Sequence, residues 1–180
     1  MIDQAPEYRK QLLNALKGEK FDSIFEPGCG WAENLIAIRE LYDVDCCGVD
    51  IDESRINSAK ETIANNGISK IKLFKAELLI NTIPDKSYDI SFTYATLLMI
   101  NDDKYVKDAI KNMIRIARKK IILIEFDGEE NFGESERYTR NYTKILNELG
   151  IKKIEKTPID PSIWSSGKHI GTVIKANINE

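Results

Sequence analysis

Apolar residues recur at helical spacing in five stretches of this chain, and short runs of strand-forming residues lie between them. Pro6 opens the first helical stretch, which carries Leu12, Leu13 and Leu16 on one face and ends near Gly18. Residues 21–26 then read as a strand, 33–42 as a helix built on Leu35, Ile36 and Ile38, and 44–50 as a second strand. A helix over 53–66 repeats Ile56, Ala59 and Ile63 and stops at Asn65-Asn66-Gly67. Residues 70–75 make a third strand, and the turn Pro84-Asp85-Lys86-Ser87 precedes a fourth over 88–94. Asp102 or Asp103 caps a helix through Val106, Ile110, Met113 and Ala117. Residues 120–126 are almost continuously apolar, as in a strand buried on both faces. A helix over 135–149 ends at Gly150, and two strands, 151–157 and about 170–178, follow with no helix between them. Alternation that finishes as a hairpin predicts an α/β fold. Its sheet is doubly wound, mostly parallel and seven-stranded, with an antiparallel last strand at one edge.

Composition narrows the setting. The chain has 180 residues, 42% hydrophobic and 31% charged, which fits one soluble domain, with residues 1–20 as an N-terminal helix and 21–180 as the core. No apolar run approaches the length of a membrane span and the N-terminus lacks a signal-peptide pattern, so a cytoplasmic protein is expected. Cys29, Cys46 and Cys47 form an odd set with an adjacent pair, which suits a reducing cytosol better than a disulfide framework. One histidine and no Cys-x-x-Cys pair argue against a zinc site. A net charge of −3 and a pI near 5.4 argue against strong nucleic-acid binding. The lysine and arginine runs at 70–75, 115–120 and 152–156 are scattered among helix ends and strand edges, and read as solvated faces.

The candidate chemistry lies in Phe21-Asp22-Ser23-Ile24-Phe25-Glu26-Pro27-Gly28-Cys29-Gly30-Trp31-Ala32, followed by Gly48-Val49-Asp50. A strand runs into an acid and a glycine-rich turn, a helix begins, and about 20 residues later a second strand ends in another acid; that is the layout of a nucleoside-cofactor site. Gly28 and Gly30 permit tight or positive-φ backbone, and Asp50 is placed to meet ribose hydroxyls. Glu33 stands where a dinucleotide fold has its third glycine, and Glu26 puts a second carboxylate near the pyrophosphate position. Two carboxylates oppose a dianion at a helix N-terminus. A ligand with an ammonium and a sulfonium tolerates them, and S-adenosylmethionine is such a ligand. A Rossmann-type nicotinamide oxidoreductase is the enzymatic alternative, and a cofactor-binding or scaffolding subunit the non-enzymatic one.

Glu26-Pro27-Gly28-Cys29-Gly30 resembles the first motif of class I S-adenosylmethionine-dependent methyltransferases, and Gly48-Val49-Asp50-Ile51-Asp52 resembles the second. Ser87-Tyr88-Asp89-Ile90-Ser91-Phe92-Thr93 resembles their fourth-strand motif, with Asp89 as its acid. The resemblance implies that Glu26, with the turn Gly28, Cys29 and Gly30, holds the methionine part of the cofactor. It implies that Asp50 takes the ribose hydroxyls and that Ile51 packs on the adenine. Glu77, in place of a common aspartate, and Leu78 then meet the adenine edge, and Thr93 offers its carbonyl to the ammonium. One departure is Ala32, where a third glycine is common; alanine is the smallest replacement, so binding is expected to survive it.

The acceptor side is less constrained. A sixth strand parallel to the others brings loop 158–168 over the cofactor end of the sheet, with Trp164, Ser165, Ser166 and His169 around it. His169 is a candidate general base, because only histidine titrates near neutrality unperturbed, with a structural role as the alternative. Tyr94 and Tyr142 are further acceptor-side candidates, each with core packing as the alternative. Trp31 either walls the acceptor or covers the first turn of its helix. Thr93-Tyr94-Ala95-Thr96 is not the Asn/Asp-Pro-Pro-Tyr/Phe run of enzymes that methylate adenine or glutamine nitrogens, and no cysteine follows to serve a covalent pyrimidine mechanism. A small-molecule acceptor, or a protein partner that completes the site, remains. Residues 93–101 and 115–125, with the early Glu7-Tyr8, also resemble small methylases of pseudaminic acid and related surface-sugar pathways, although Met99 replaces a histidine common there. The expected activity is methyl transfer from S-adenosylmethionine to O or N of a small, sugar-related acceptor.

Overall fold

Side chains of β5 (Ala117–Phe126) alternate between two cores, with Ile122 and Ile124 facing one and Ile121 and Leu123 the other. This is the burial pattern expected of a central strand covered on both faces. The computed structural model describes residues 6–129, 137–166 and 169–178, and only the backbone of Tyr8, Ser165, Ser166 and His169. The other strands are β1 (Ser23–Pro27), β2 (Asp45–Asp50), β3 (Ile71–Lys75), β4 (Tyr88–Tyr94), β6 (Ile154–Pro158), β7 (Ser165–Ser166) and β8 (His169–Asn177). The helices are α1 (Glu7–Leu16), α2 (Glu33–Leu41), α3 (Glu53–Asn65), α4 (Asp103–Ile116) and α5 (Tyr142–Glu148).

The main sheet has the order β3-β2-β1-β4-β5-β8-β6, parallel from β3 to β5, with β8 antiparallel to both its neighbours and β7 a short hairpin partner of β8. The strand order reverses between β1 and β4, which leaves a crevice beyond their carboxyl ends. Leucines 12, 13 and 16 of α1 share a core with Leu35 and Ile38 of α2 and Ile56 of α3 on one face. Val106, Ile110 and Met113 of α4, with Tyr142 and Leu146 of α5, cover the other.

Two expectations need correction, and one open alternative is decided. The last strand does not form the edge: β8 lies between β5 and β6, and β6 is outermost. The residues explain this, because β8 buries Val173, Ile174 and Ala176 while β6 exposes Glu155 and Lys156, charges that suit an unpaired edge. The helix expected over 135–149 begins at Tyr142, where Asn141 caps it by accepting from the Lys144 N–H. Before that cap Arg140 bridges Asp127 beside the end of β5, and residues 130–136 lie outside the described residues. Tyr142 is fully buried, so packing is its role.

Asp89 sits at the opposite end of β4 from the crevice. Its Oδ2 accepts the Asp22 N–H at 2.7 Å and its Oδ1 accepts from Arg118 Nε at 2.9 Å, with Lys119 Nζ 3.3 Å away. Burial pushes this carboxyl up, but these donors outweigh it and hold it below the usual aspartate range. A depressed carboxyl stabilises the fold above its unfolded pKa, and the contribution is lost as pH falls through the folded value. Asp89→Asn is therefore expected to cost about 1–3 kcal/mol at neutral pH, a gap that narrows below about pH 4. Thermal melts from pH 3 to 7 check this, and cofactor affinity should not change.

Candidate active site

The turn after β1 is shaped by its neighbours. Gly28 has φ +77°, and a Cβ there would lie 2.2 Å from Thr96 Cγ2, so both backbone geometry and close packing require glycine. Thr96 Oγ1 donates to the Gly28 carbonyl at 3.3 Å, docking the turn onto the segment after β4. Cys29 turns inward onto Gly48 of β2, where a Cβ would meet its Sγ at 2.7 Å. Burial pushes the Cys29 thiol up, so it packs as a neutral side chain. Ala32, at the position of the third glycine, is buried and takes φ +57° as the N-cap of α2, a left-handed conformation that costs an alanine about 1–2 kcal/mol.

The N–H groups of this turn are already engaged. Gly28 and Cys29 both donate to the Val49 carbonyl, at 2.7 and 2.9 Å, and Gly30 donates to Asp50 Oδ2 at 2.8 Å. Pyrophosphate sites of this layout use such N–H groups as anion donors. This turn instead presents carboxylates. Asp50 is buried at the end of β2 and also accepts the Asp52 N–H at 2.9 Å through Oδ1.

Glu26, at the end of β1, is 1% exposed. Its Oε1 accepts from Asn34 Nδ2 at 2.8 Å, while Oε2 has no hydrogen-bond partner among the described atoms. Burial pushes this carboxyl up to about 8, against the Asn34 amide and the Arg9 charge, and nearby Asp50 adds to the rise. A buried acceptor with an open lone pair on a cavity wall asks for a donor, preferably a cation.

Glu26, Gly28, Cys29, Gly30, Asp50, Ile51, Glu77 and Leu78 all line one cavity of about 510 Å³ at the crevice. Tyr94, Ala95, Thr96, Met99 and Trp31 line it too. Thr93 does not: it is fully buried within β4, one residue short of the wall. Trp164 lies behind the wall, stacked on Tyr94 with ring centroids 5.5 Å apart and close over Gly171 of β8. His169 opens β8 at the cavity end of the sheet, since Gly171 pairs with Phe126 at the end of β5. The side chains of His169, Ser165 and Ser166 lie outside the described atoms. Trp31 is half-exposed on the rim, with the Arg55 guanidinium 4.7 Å over its ring.

Several residues have a role here that the sequence does not assign: Glu125 is legible only as part of the strand end 125–127 on the ligand side of the sheet. Glu125, fully buried near the end of β5, accepts the N–H groups of Thr96, Leu97 and Leu98 at 3.1–3.2 Å. Burial pushes it up to about 7 in spite of those donors. Arg140 holds the same segment from the other side, donating to the carbonyls of Leu97 and Ile100 while pairing with Asp103. The wall after β4 is thus clamped through both its donors and its acceptors. A single acid inside the apolar run 121–126 was the available signal for this role of Glu125. Asn34, which donates to Glu26, and Arg9, which reaches it through Asn34, carry no local signal.

The chain matches the methyltransferase-domain family over residues 24–120, and it belongs to that family. Its sheet is that of class I S-adenosylmethionine-dependent methyltransferases. Phosphoethanolamine N-methyltransferase 2 of Haemonchus contortus, solved with phosphomonomethylethanolamine and S-adenosylhomocysteine, superposes with a TM-score of 0.80 at 11% identity, over 96% of this chain and 52% of that one. An S-adenosylmethionine-dependent methyltransferase of Aquifex aeolicus gives 0.70 at 18% identity, over 94% and 89%. An uncharacterized protein of Haemophilus influenzae is 24% identical over 142 residues, 78% of this chain and 54% of that protein. The chain thus spans about half the length of that curated relative.

Proposed function

We propose that the chain transfers a methyl group from S-adenosylmethionine to an oxygen or nitrogen of a small, sugar-related acceptor, with residues 1–180 acting as one cofactor-binding domain. The observation that carries the reading is the pair of buried carboxylates, Glu26 and Asp50, around a glycine turn whose N–H groups are engaged within the protein. When bound, S-adenosylmethionine supplies a methyl group already activated by a sulfonium. Glu26 Oε2 receives the ammonium, Asp50 the ribose hydroxyls, and Glu77 with Leu78 the adenine edge. Tyr94 faces the acceptor, backed by Trp164, and His169 is the candidate base for an acceptor that arrives protonated. The chain's main task is alignment and exclusion of water, which the clamped segment 95–100 serves.

The three buried free thiols support a reducing, cytoplasmic setting. No helix among the described residues is long and apolar enough to cross a membrane. A panel of sugars, sugar nucleotides and small amines, assayed for S-adenosylhomocysteine release, tests the function. Acceptor-dependent release is the expected result. Tight S-adenosylhomocysteine binding with no turnover until a protein partner is added would replace it with the subunit reading, and tight NADH binding with that of an oxidoreductase.

A further inference from the structure

The first turn of α1 sends Arg9 to the floor of the cavity. Its side chain is 13% exposed, and its guanidinium donates from Nε to Asn34 Oδ1 at 3.5 Å and from Nη2 to Glu33 Oε2 at 2.6 Å. The Asn34 amide therefore touches a fixed cation through its oxygen and the Glu26 carboxyl through its nitrogen, at 2.8 Å. One amide group separates the guanidinium from a carboxyl that keeps an open oxygen and becomes the negative pole when it ionises.

We infer that Arg9 and Glu26, spaced by Asn34, form a receptor for the zwitterionic amino-acid end of the cofactor, with Arg9 taking the α-carboxylate. This rests on the reading of the cavity as an S-adenosylmethionine site. An α-amino acid carries its ammonium and carboxylate on one carbon, so a receptor needs an anion and a cation side by side. Glu26 alone recognises half of that pattern and leaves the ligand carboxylate facing two acids, Glu26 and Asp50, which repel it. A guanidinium offers a planar fork suited to a carboxylate. Glu33 occupies one arm of that fork here, but its side chain is 62% exposed. An ion pair to so exposed a carboxylate is weak, and a ligand carboxylate can displace it at little cost. The arrangement also gives α1 a part in binding, although it precedes both glycine-turn motifs.

Calorimetry with two ligands isolates the carboxylate: S-adenosylhomocysteine, and its decarboxylated analogue 5′-deoxy-5′-(3-aminopropylthio)adenosine, which keeps the ammonium, sulfur and adenosine. Wild type should bind the first about tenfold or more tightly than the second, as expected of a charge-assisted bond. Arg9→Gln should lose about that factor on S-adenosylhomocysteine and less than about twofold on the analogue. Arg9→Lys, which keeps the charge without the fork, should fall between. Equal losses on both ligands, or no loss on either, would overturn the inference, because Arg9 would then act only through α1 packing or not at all. Melting curves of each variant identify loss of fold, and if Arg9→Gln fails to fold the Arg9→Lys comparison decides. Failure of the cofactor reading itself looks different: wild type would bind neither compound.

Discussion

Asp50→Ala is expected to weaken S-adenosylhomocysteine binding by on the order of a hundredfold or more. The estimate starts from two hydrogen bonds between a carboxylate and ribose hydroxyls, each worth about 1.5–3 kcal/mol when one partner is charged. The geometry adds to that loss. Asp50 also accepts the N–H of Gly30 at 2.8 Å and that of Asp52 at 2.9 Å, so its carboxylate holds the glycine turn and the start of α3 in place. Removing it leaves the Gly30 N–H without an acceptor and loosens the turn that receives the methionine end. A stability loss of about 1–3 kcal/mol should accompany the binding loss. Asp50→Asn keeps one acceptor oxygen but turns its amide nitrogen toward an N–H or a hydroxyl, so it should lose nearly as much affinity. Calorimetry on protein checked by melting curves measures both. Unchanged affinity in a folded Asp50→Ala protein would remove the ribose contact from this reading.

Which parts of this site were legible follows from how far each contact reaches along the chain. The strand–turn–helix around Gly28 and the acid at Asp50 are local patterns: a few neighbouring residues specify backbone, burial and charge together, so their meaning survives without a structure. The parallel strands were legible for the same reason, since continuous apolar runs such as 120–126 have few other homes. The place of β8 was not. Two adjacent strands imply an antiparallel hairpin, but which of the two inserts next to β5 depends on their relative apolarity, and on the buried face β8 offers Val173, Ile174 and Ala176 where β6 offers exposed charge. The clamp on segment 95–100 joins residues about 30 and 40 positions apart, Glu125 with Thr96 and Arg140 with Ile100. The Arg9–Asn34–Glu26 chain spans α1, α2 and β1. Single polar residues that meet only through tertiary packing leave no period and no motif. Trp164 is intermediate: topology placed its loop at the correct end of the sheet, but the ring packs behind Tyr94 and does not line the cavity.

Glu26→Gln should move stability and affinity in opposite directions. In the free protein, burial holds the Glu26 carboxyl up to about 8, far above a solvated glutamate. A folded-state pKa raised above the unfolded one gives a contribution that is fully present below the unfolded value. It is lost as pH rises through the folded value. Across roughly pH 4.5 to 8 the free protein therefore becomes progressively less stable on account of this one side chain. Gln at position 26 has no proton to lose, so the variant should melt higher than wild type by a few degrees at pH 8, and the gain should shrink toward pH 5. Binding runs the other way. An ammonium is best held by an ionised carboxylate, so at pH values below 8 the ligand must drive a proton off Glu26 as it binds. Affinity for S-adenosylhomocysteine should then rise by up to about tenfold per pH unit between pH 6 and 7.5, and level off as pH passes the value of about 8 above which Glu26 is ionised before the ligand arrives. Calorimetry at pH 6.5 in two buffers of different ionisation enthalpy should detect release of close to one proton per ligand bound. Glu26→Gln should abolish that release, flatten the pH dependence, and bind about tenfold to a hundredfold more weakly at pH 7.5, where the charged hydrogen bond is lost. Proton release that persists in the variant would assign the titration to another group, with Glu125 next in line because burial pushes it up to about 7. Wild-type affinity that does not vary with pH, with no proton exchanged, would mean that the ammonium is held elsewhere and that the open oxygen of Glu26 serves the fold instead.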